Sequence, residues 1–247
     1  MDREKSISNK GIGENMIEII AMTIEDARKI EKLGANRIEF VSALTEGGLT
    51  PSLSMIEAIS QAVKLPVNIM IRHHAKSFVY TDEEIGIMVD DIKKIQKISV
   101  ERVKKGYTRL GVVFGVLDEF NNINIPHLEK LLKACEGLEV TFHKAIDETD
   151  VVSSIQILSR YPQITNVLTA GGKTPIEENI EVINNMLEKR GHINILLGGG
   201  LTLENVQRIK ALTGATDFHF GTAVRENYSP FGKIDINNLE KLISLVG

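Results

Sequence analysis

Eight strand-like segments alternate with eight helix-like segments between Met16 and Val246, and this alternation predicts an α/β fold, a single-domain (β/α)8 or TIM barrel. The chain has 247 residues, close to the roughly 250 that one such barrel needs, and no Ser/Pro/Gly-rich linker divides it. Glycine-rich loops follow strands six, seven and eight. The alternative, an open doubly wound sheet, would carry its glycine fingerprint after strand one, where this chain has Ala21-Met22-Thr23.

The first four strand–helix units are marked by helix caps and breakers. Thr23 is placed to cap the first helix, Gly34 to end it, and Pro66 to break the chain before the third strand. The predicted strands are 16–21, 37–41, 67–72 and 109–116. The predicted helices are 23–33, 52–64, 81–104 and 125–135.

The last four units repeat the pattern. Their predicted strands are 138–142, 166–170, 193–197 and 216–220. Their predicted helices are 151–160, a segment from Pro175 to about residue 189, a segment capped by Thr202, and 236–246. We therefore expect one domain over residues 16–247, preceded by a polar, flexible leader at residues 1–15.

The composition excludes several classes of protein. Hydrophobic residues make up 43% of the chain, which is typical of a globular protein and not of a disordered one. The net charge is −4 and no basic stretch could follow a phosphate backbone, so we expect no nucleic-acid partner. No apolar run approaches a membrane span, so we expect no membrane partner. The single cysteine, Cys135, fits a reducing compartment and a cytoplasmic location.

Polar side chains within apolar strands predict a site at the barrel mouth. Glu18 and Glu39 occupy matching positions in the first two strands, and Arg72, His143 and Asp147 end or follow the third and fifth. A buried carboxylate is costly unless it is paired, bound to metal or facing a wet cavity. The structural explanation is that Arg72 pairs with one glutamate. The functional explanation is a cluster for acid–base chemistry or for binding a polar ligand. Other polar strand residues are Asn68, Thr141, Thr169 and His219.

Under the functional explanation each of these residues has an expected role. His143 is the general acid–base, and Asp147, four residues on, orients its ring. Glu18 or Glu39 is the second proton-transfer group or a ligand for a hard metal. Arg72 holds a substrate carboxylate or phosphate. The simpler alternative for His143 is a hydrogen bond to a neighbouring loop.

Two glycine loops predict an anion site. Gly198-Gly199-Gly200 follows strand seven and Gly221-Thr222 follows strand eight, where many barrels bind phosphate with backbone N–H groups. Glycine lets the backbone approach a ligand closely. A tight turn is the alternative explanation for either loop.

Motifs along the chain resemble those of a known family. They are ANRIEFVSALTEGGLTPS, VNIMIR with FVYTDEEI, VFGVLDEFNNIN, VTFHKAID, VLTAGGK and LLGGGLTLENV. In this order they resemble the CutC family, the copper homeostasis proteins, from Met16 to about Thr222. The resemblance implies a TIM barrel, a cytoplasmic location, a part in copper handling and a homo-oligomer. It implies no particular reaction.

The sequence departs from the family pattern at two places. Many relatives carry a cysteine shortly after each strand glutamate, and here those positions are Ile20 and Val41. Soft Cu(I) prefers thiolate and thioether ligands, so a cysteine-type Cu(I) site is not expected. Where relatives have RPRGGDF, this chain has RHHAKSF at residues 72–78, which keeps the arginine and adds two histidines.

Two functions follow from these observations. The first is copper binding or handling, with copper as the possible ligand. The second is an enzyme that acts on a small anionic metabolite, phosphorylated or carboxylated, at the barrel mouth. The polar mouth residues and the glycine loops favour the second function, and the resemblance favours the first.

Overall fold

The computed structural model describes residues 15–247, and its strands form one closed parallel barrel. Each strand pairs with its neighbours in sequence, and β8 closes the barrel on β1. The single-domain (β/α)8 prediction is therefore confirmed. The flexible leader expected at residues 1–15 lies outside the described residues, apart from Asn15. The strands are β1 Met16–Ala21, β2 Arg37–Phe40, β3 Val67–Met70, β4 Leu110–Phe114, β5 Glu139–Phe142, β6 Ile164–Thr169, β7 Asn194–Leu197 and β8 Asp217–Phe220.

Eight α-helices of the described chain surround the barrel, and their ends follow the capping signals in the sequence. The Thr23 hydroxyl accepts a hydrogen bond from the Asp26 amide at the start of α1, and Gly34 ends that helix in the left-handed conformation, with φ of 91°. Thr81 and Glu84 form a capping box on α3. The helices are α1 Ile24–Leu33, α2 Leu53–Ala62, α3 Asp82–Lys104, α4 Ile125–Ala134, α5 Val151–Leu158, α6 Ile180–Lys189, α7 Val206–Thr213 and α8 Ile236–Val246. None of these helices combines the length and the apolar character that crossing a membrane would require.

Some predicted boundaries were wrong because residues expected at the ends of strands or helices belong to loops at the barrel mouth. β3 ends at Met70 rather than at Arg72, whose backbone instead bonds to Thr50. Thr202 caps a turn and not a helix, because α7 begins only at Val206. The predicted sixth helix is split into a 3-10 turn and α6.

The barrel has an apolar outer core and a largely polar interior. Alternation along each strand directs one set of residues toward the helices, where they form a continuous hydrophobic core. The other set points into the barrel, where Ile20, Val41, Met70 and Val113 form a small apolar cluster, the mouth cluster. The remaining interior positions are mostly polar and buried. They include Glu18, Arg37, Glu39, Asn68, Thr141, Asn166 and His219.

Candidate functional site

Glu18 is the centre of a hydrogen-bonded network inside the barrel. Its carboxylate accepts hydrogen bonds from Arg37 Nε at 2.5 Å and from Asn68 Nδ2 at 3.3 Å, and lies 2.7 Å from His219 Nδ1. Burial opposes ionisation of Glu18, but Arg37 and His219 outweigh it and lower the pKa to about 2. Glu18 is therefore an ionised carboxylate held on three sides.

Glu39 and Glu18 lie on either side of His219 and have opposite pKa shifts. Glu39 Oε2 is 3.7 Å from His219 Nε2, and Glu39 Oε1 is buried with no hydrogen-bond partner among residues 15–247. Burial raises the pKa of Glu39 to about 7. The two carboxylates raise the pKa of His219 against the effect of its burial. Glu39 can therefore exchange a proton near neutral pH.

Glu18, Glu39 and His219 together could hold a metal ion, and we call them the carboxylate–histidine cluster. One ligand atom from each lies within 4.8 Å of the others, and all three residues are buried. Glu39 and His219 Nε2 are free to ligate. Glu18 already bonds Arg37, so it is placed to hold the His219 ring through Nδ1. Carboxylate and imidazole ligands suit divalent copper and similar ions, and not Cu(I).

The residues that replace the expected cysteines lie on the mouth side of the carboxylate–histidine cluster. Ile20 is two residues beyond Glu18 on the same face of β1, and Val41 is two residues beyond Glu39. Both belong to the mouth cluster. Cys135, at the end of α4, is buried, and burial raises its thiol pKa to about 12. No thiolate is therefore available to a metal in the barrel.

Arg72 pairs with neither Glu18 nor Glu39, so the structural explanation offered for it was wrong. Arg37 takes that role, because it pairs directly with Glu18 in the β1–β2 register. Arg72 Nη1 instead donates to the backbone carbonyl of Glu46 at 2.8 Å, and Nη2 donates to that of Ala75 at 3.3 Å. Its Nε is buried and has no hydrogen-bond partner among the described residues.

His143 makes the loop contact that was its simpler alternative. Its Nδ1 accepts a hydrogen bond from the Ala145 amide at 3.1 Å, and its ring packs on Phe78 at 5.0 Å between ring centres. Burial, with the positive charge of Arg72, lowers its pKa to about 3. Nε2 is buried and unpartnered within residues 15–247. His143 is thus a neutral imidazole whose proton lies on Nε2.

Asp147 does not orient His143, so that expectation was wrong. Residues Lys144–Glu148 form a 3-10 turn that directs Asp147 to β6. There its carboxylate accepts hydrogen bonds from the Thr169 hydroxyl and from the Ala170 amide. Burial raises the pKa of Asp147 in spite of these bonds. Asp147 fixes the loop after β5 against β6.

The glycine loops pack closely against neighbouring side chains. A side chain at Gly199 would lie 2.4 Å from Lys144 Nζ, and φ is +90° at Gly199 and +88° at Gly200. Gly198 lies against the His219 ring, and Gly221 against Ile20. Thr222 begins a 3-10 turn. Lys144 is the one cation placed by these contacts beside the first loop.

Sequence reasoning did not single out Arg37 and His219 as site residues. His219 could have been found, because DFHF in β8 places Asp217 and His219 on one face, as the first strands do with their glutamates. Arg37 begins β2, where a charged residue usually faces solvent. Only the register with Glu18 shows that it is buried.

Comparison with known proteins shows the family to which this chain belongs. The family model described as "CutC family" matches residues 15–224. The chain belongs to the CutC family. A "Copper homeostasis protein cutC homolog" from Homo sapiens is 36% identical over 206 residues, covering 83% of this chain and 72% of the human protein. A CutC family protein from Treponema denticola is 32% identical, covering 93% of this chain and 97% of its own.

Solved structures agree with this membership and with the fold. A protein from Streptococcus agalactiae named as a copper homeostasis protein CutC is 34% identical, with a TM-score of 0.74, over 84% of this chain and 98% of its own. Phosphoribosylanthranilate isomerase from Thermotoga maritima has a TM-score of 0.60 at 16% identity, over 94% of this chain and 98% of its own. This second likeness concerns the barrel alone.

Proposed function

We propose that this CutC family member takes part in copper homeostasis and binds copper as Cu(II) at the carboxylate–histidine cluster. The name of its human and streptococcal relatives supports the copper role. The observation that carries the proposal is the group formed by Glu18, Glu39 and His219, whose ligand atoms lie within 4.8 Å of one another. Copper is the cargo, held by Glu39 and His219 Nε2.

The donor set favours Cu(II) over Cu(I). Oxygen and nitrogen ligands suit Cu(II), whereas Cu(I) prefers sulfur. The only cysteine of the chain is a protonated thiol in the outer core. Ile20 and Val41 supply no sulfur at the positions where the family pattern has cysteines.

Calorimetric titration of the full chain with chelator-buffered Cu(II), and in parallel with Cu(I), tests this proposal. We expect one Cu(II) per chain, and an affinity at least ~100-fold weaker in Glu39→Gln, since a direct ligand is lost. Glu57→Gln, an exposed position on α2, is the matched control and should leave the affinity unchanged. Equal Cu(II) affinity in Glu39→Gln, or tight binding of Cu(I) alone, would contradict the proposal.

A second function is supported by the Lys144 contact. Lys144 Nζ lies beside Gly199 and 3.7 Å from Asp147 Oδ2, and its side chain is 45% exposed, so a cation stands against the glycine loop at a solvent-accessible place. We propose, as the alternative, that the mouth acts on a small anionic metabolite. The roles expected of Glu18, Glu39 and Arg72 in such an enzyme stay proposals. Asp147 would act by positioning the loop that carries Lys144 and His143.

The cytoplasmic location and the homo-oligomeric state also stay proposals. The former is supported by the single buried cysteine. The latter is supported by the family resemblance alone.

A further inference from the structure

Two buried hydrogen-bond donors at the barrel mouth have no acceptor. Arg72 Nε and His143 Nε2 are both buried, and neither has a partner among residues 15–247. A buried donor without an acceptor is costly, so native proteins rarely leave one unsatisfied. The copper proposal uses neither atom.

The imidazole of His143 is a donor and not a base. Its Nδ1 accepts the Ala145 amide, and a nitrogen that accepts a hydrogen bond carries no proton. The ring proton must then lie on Nε2, the unpartnered atom. Nearby Arg72 disfavours a second proton on the ring.

The positions of Arg72 and His143 bring the two side chains into one region of the barrel mouth, where the charge of Arg72 acts on the His143 ring. Arg72 and His143 continue the inward-facing positions of β3 and β5, and Gly115 takes the same position just after β4, the strand between them. The His143 ring occupies the space of a side chain at Gly115, whose Cβ would lie 2.5 Å from Nδ1. No side chain of β4 therefore separates the two residues. Both also pack on Phe78, with Arg72 Cζ 4.9 Å from the ring centre.

The charge around Arg72 and His143 fits a ligand with a single negative charge. Three of the five N–H groups of Arg72 donate to the backbone carbonyls of Glu46, Gly48 and Ala75, so Arg72 offers one positive charge, the unpartnered Nε–H and one N–H of Nη2. His143 adds a neutral donor. A planar carboxylate offers one negative charge and two acceptor oxygens, one for each donor. A phosphate dianion would leave an uncompensated charge against Phe78.

We infer that Arg72 and His143 form a binding site for the carboxylate of a small metabolite. The inference deepens the second of the two proposed functions and rests on it, because it names the substrate class and the place where the substrate is held. In this site one carboxylate oxygen accepts from Arg72 Nε and the other from His143 Nε2. Tyr80 borders the same site: burial raises the pKa of its hydroxyl to about 12, and the charge and side-chain hydrogen bond of Arg72 oppose that rise.

The test is nuclear magnetic resonance of the full chain labelled with 15N-histidine, with sodium acetate as the probe. We expect acetate to shift the His143 Nε2–H signal saturably. His143→Asn keeps an acceptor for the Ala145 amide and removes the Nε2 donor. Followed by the Ala145 backbone amide signal, which wild type and variant both have, it should bind acetate about 10- to 100-fold more weakly. His192→Asn, at an exposed position, is the matched control. Arg72→Lys, which keeps the charge and loses the Nε donor, should weaken binding similarly.

Inorganic phosphate, followed by backbone amide signals, separates failure of the inference from failure of the function. If phosphate shifts the Gly199 and Gly200 amides while acetate leaves the His143 signal unchanged, the carboxylate site is wrong and the metabolite function stands. If neither probe changes any signal at the mouth, both are wrong. Equal acetate affinity in His143→Asn and wild type would also overturn the inference.

Discussion

At the scale of single residues, burial decides which groups carry charge. Glu18 is ionised because Arg37 and His219 bond to it. Burial raises the pKa of Glu39, on the next strand, to about 7, and no hydrogen bond from the described residues to its carboxylate offsets that rise. His143 is neutral because burial and Arg72 both oppose its protonation. Three buried polar groups in one barrel therefore have three different protonation behaviours.

His143 should make the protein sensitive to acid. Its folded pKa of about 3 lies below the ordinary value of 6.5, so its contribution to stability is full above 6.5 and declines as the pH falls toward 3. Between pH 7 and pH 5 wild type should lose about 2 kcal/mol more unfolding free energy than His143→Asn. Urea unfolding of both proteins at the two pH values measures the difference. Equal losses would show that the imidazole is already charged in the folded state.

Part of the candidate site could be recognised in the sequence at this scale. Glu18, Glu39 and His143 were recognisable because a charged or polar residue stands out in an apolar strand. The hydrogen-bond partners of these residues were not recognisable from the sequence. Arg72 and Arg37 are equally plausible partners for Glu18 until the strand register is known. The Asp147 prediction was wrong because spacing of four suggests proximity to His143, whereas the 3-10 turn directs the carboxylate to β6.

At the scale of elements, the existence and order of the strands and helices were predictable from the sequence, but the residues at which some of them end were not. Periodicity and caps gave all eight strands and helices, because Thr23 and Thr81 act locally on the helices that follow them. The ends of β3 and α7 depend on backbone hydrogen bonds with other loops, such as the one from the Thr50 amide to the Arg72 carbonyl. Those bonds join residues far apart in sequence.

Arg102 shows how one side chain joins elements. Its guanidinium, on α3, donates to the backbone carbonyls of Ser60, of Val63 at 2.8 Å and of Leu65 at 2.7 Å, at and just after the end of α2. It thereby satisfies carbonyls that the end of a helix leaves without partners. The side chain is buried, so water cannot replace it.

Replacement of Arg102 by lysine should destabilise the barrel by about 2–4 kcal/mol, because one ammonium cannot reach three carbonyls in the geometry of the guanidinium. Urea unfolding at neutral pH measures this change. Arg109→Lys is the control, since Arg109 is exposed and bonds only to the Gly137 carbonyl at 3.3 Å among the described residues. A loss no larger than that of the control would mean that α2 needs no such partner.

At the scale of the whole molecule, a closed barrel brings distant strands to one interior. Glu18 and His219 are 201 residues apart and bond only because β8 closes on β1. The fold could be predicted from the repeat of strand–helix units and from chain length. The carboxylate–histidine cluster could not, because it depends on closure and register, which a single sequence does not encode locally.

The most direct test of the copper proposal is electron paramagnetic resonance of the full chain loaded with one equivalent of Cu(II). We predict a protein-bound signal with coupling to one imidazole nitrogen, and loss of that coupling in His219→Gln. His192→Gln, on the surface, should keep it. A signal with the same nitrogen coupling in His219→Gln, or no protein-bound copper at all, would contradict the assignment of the carboxylate–histidine cluster as the copper site.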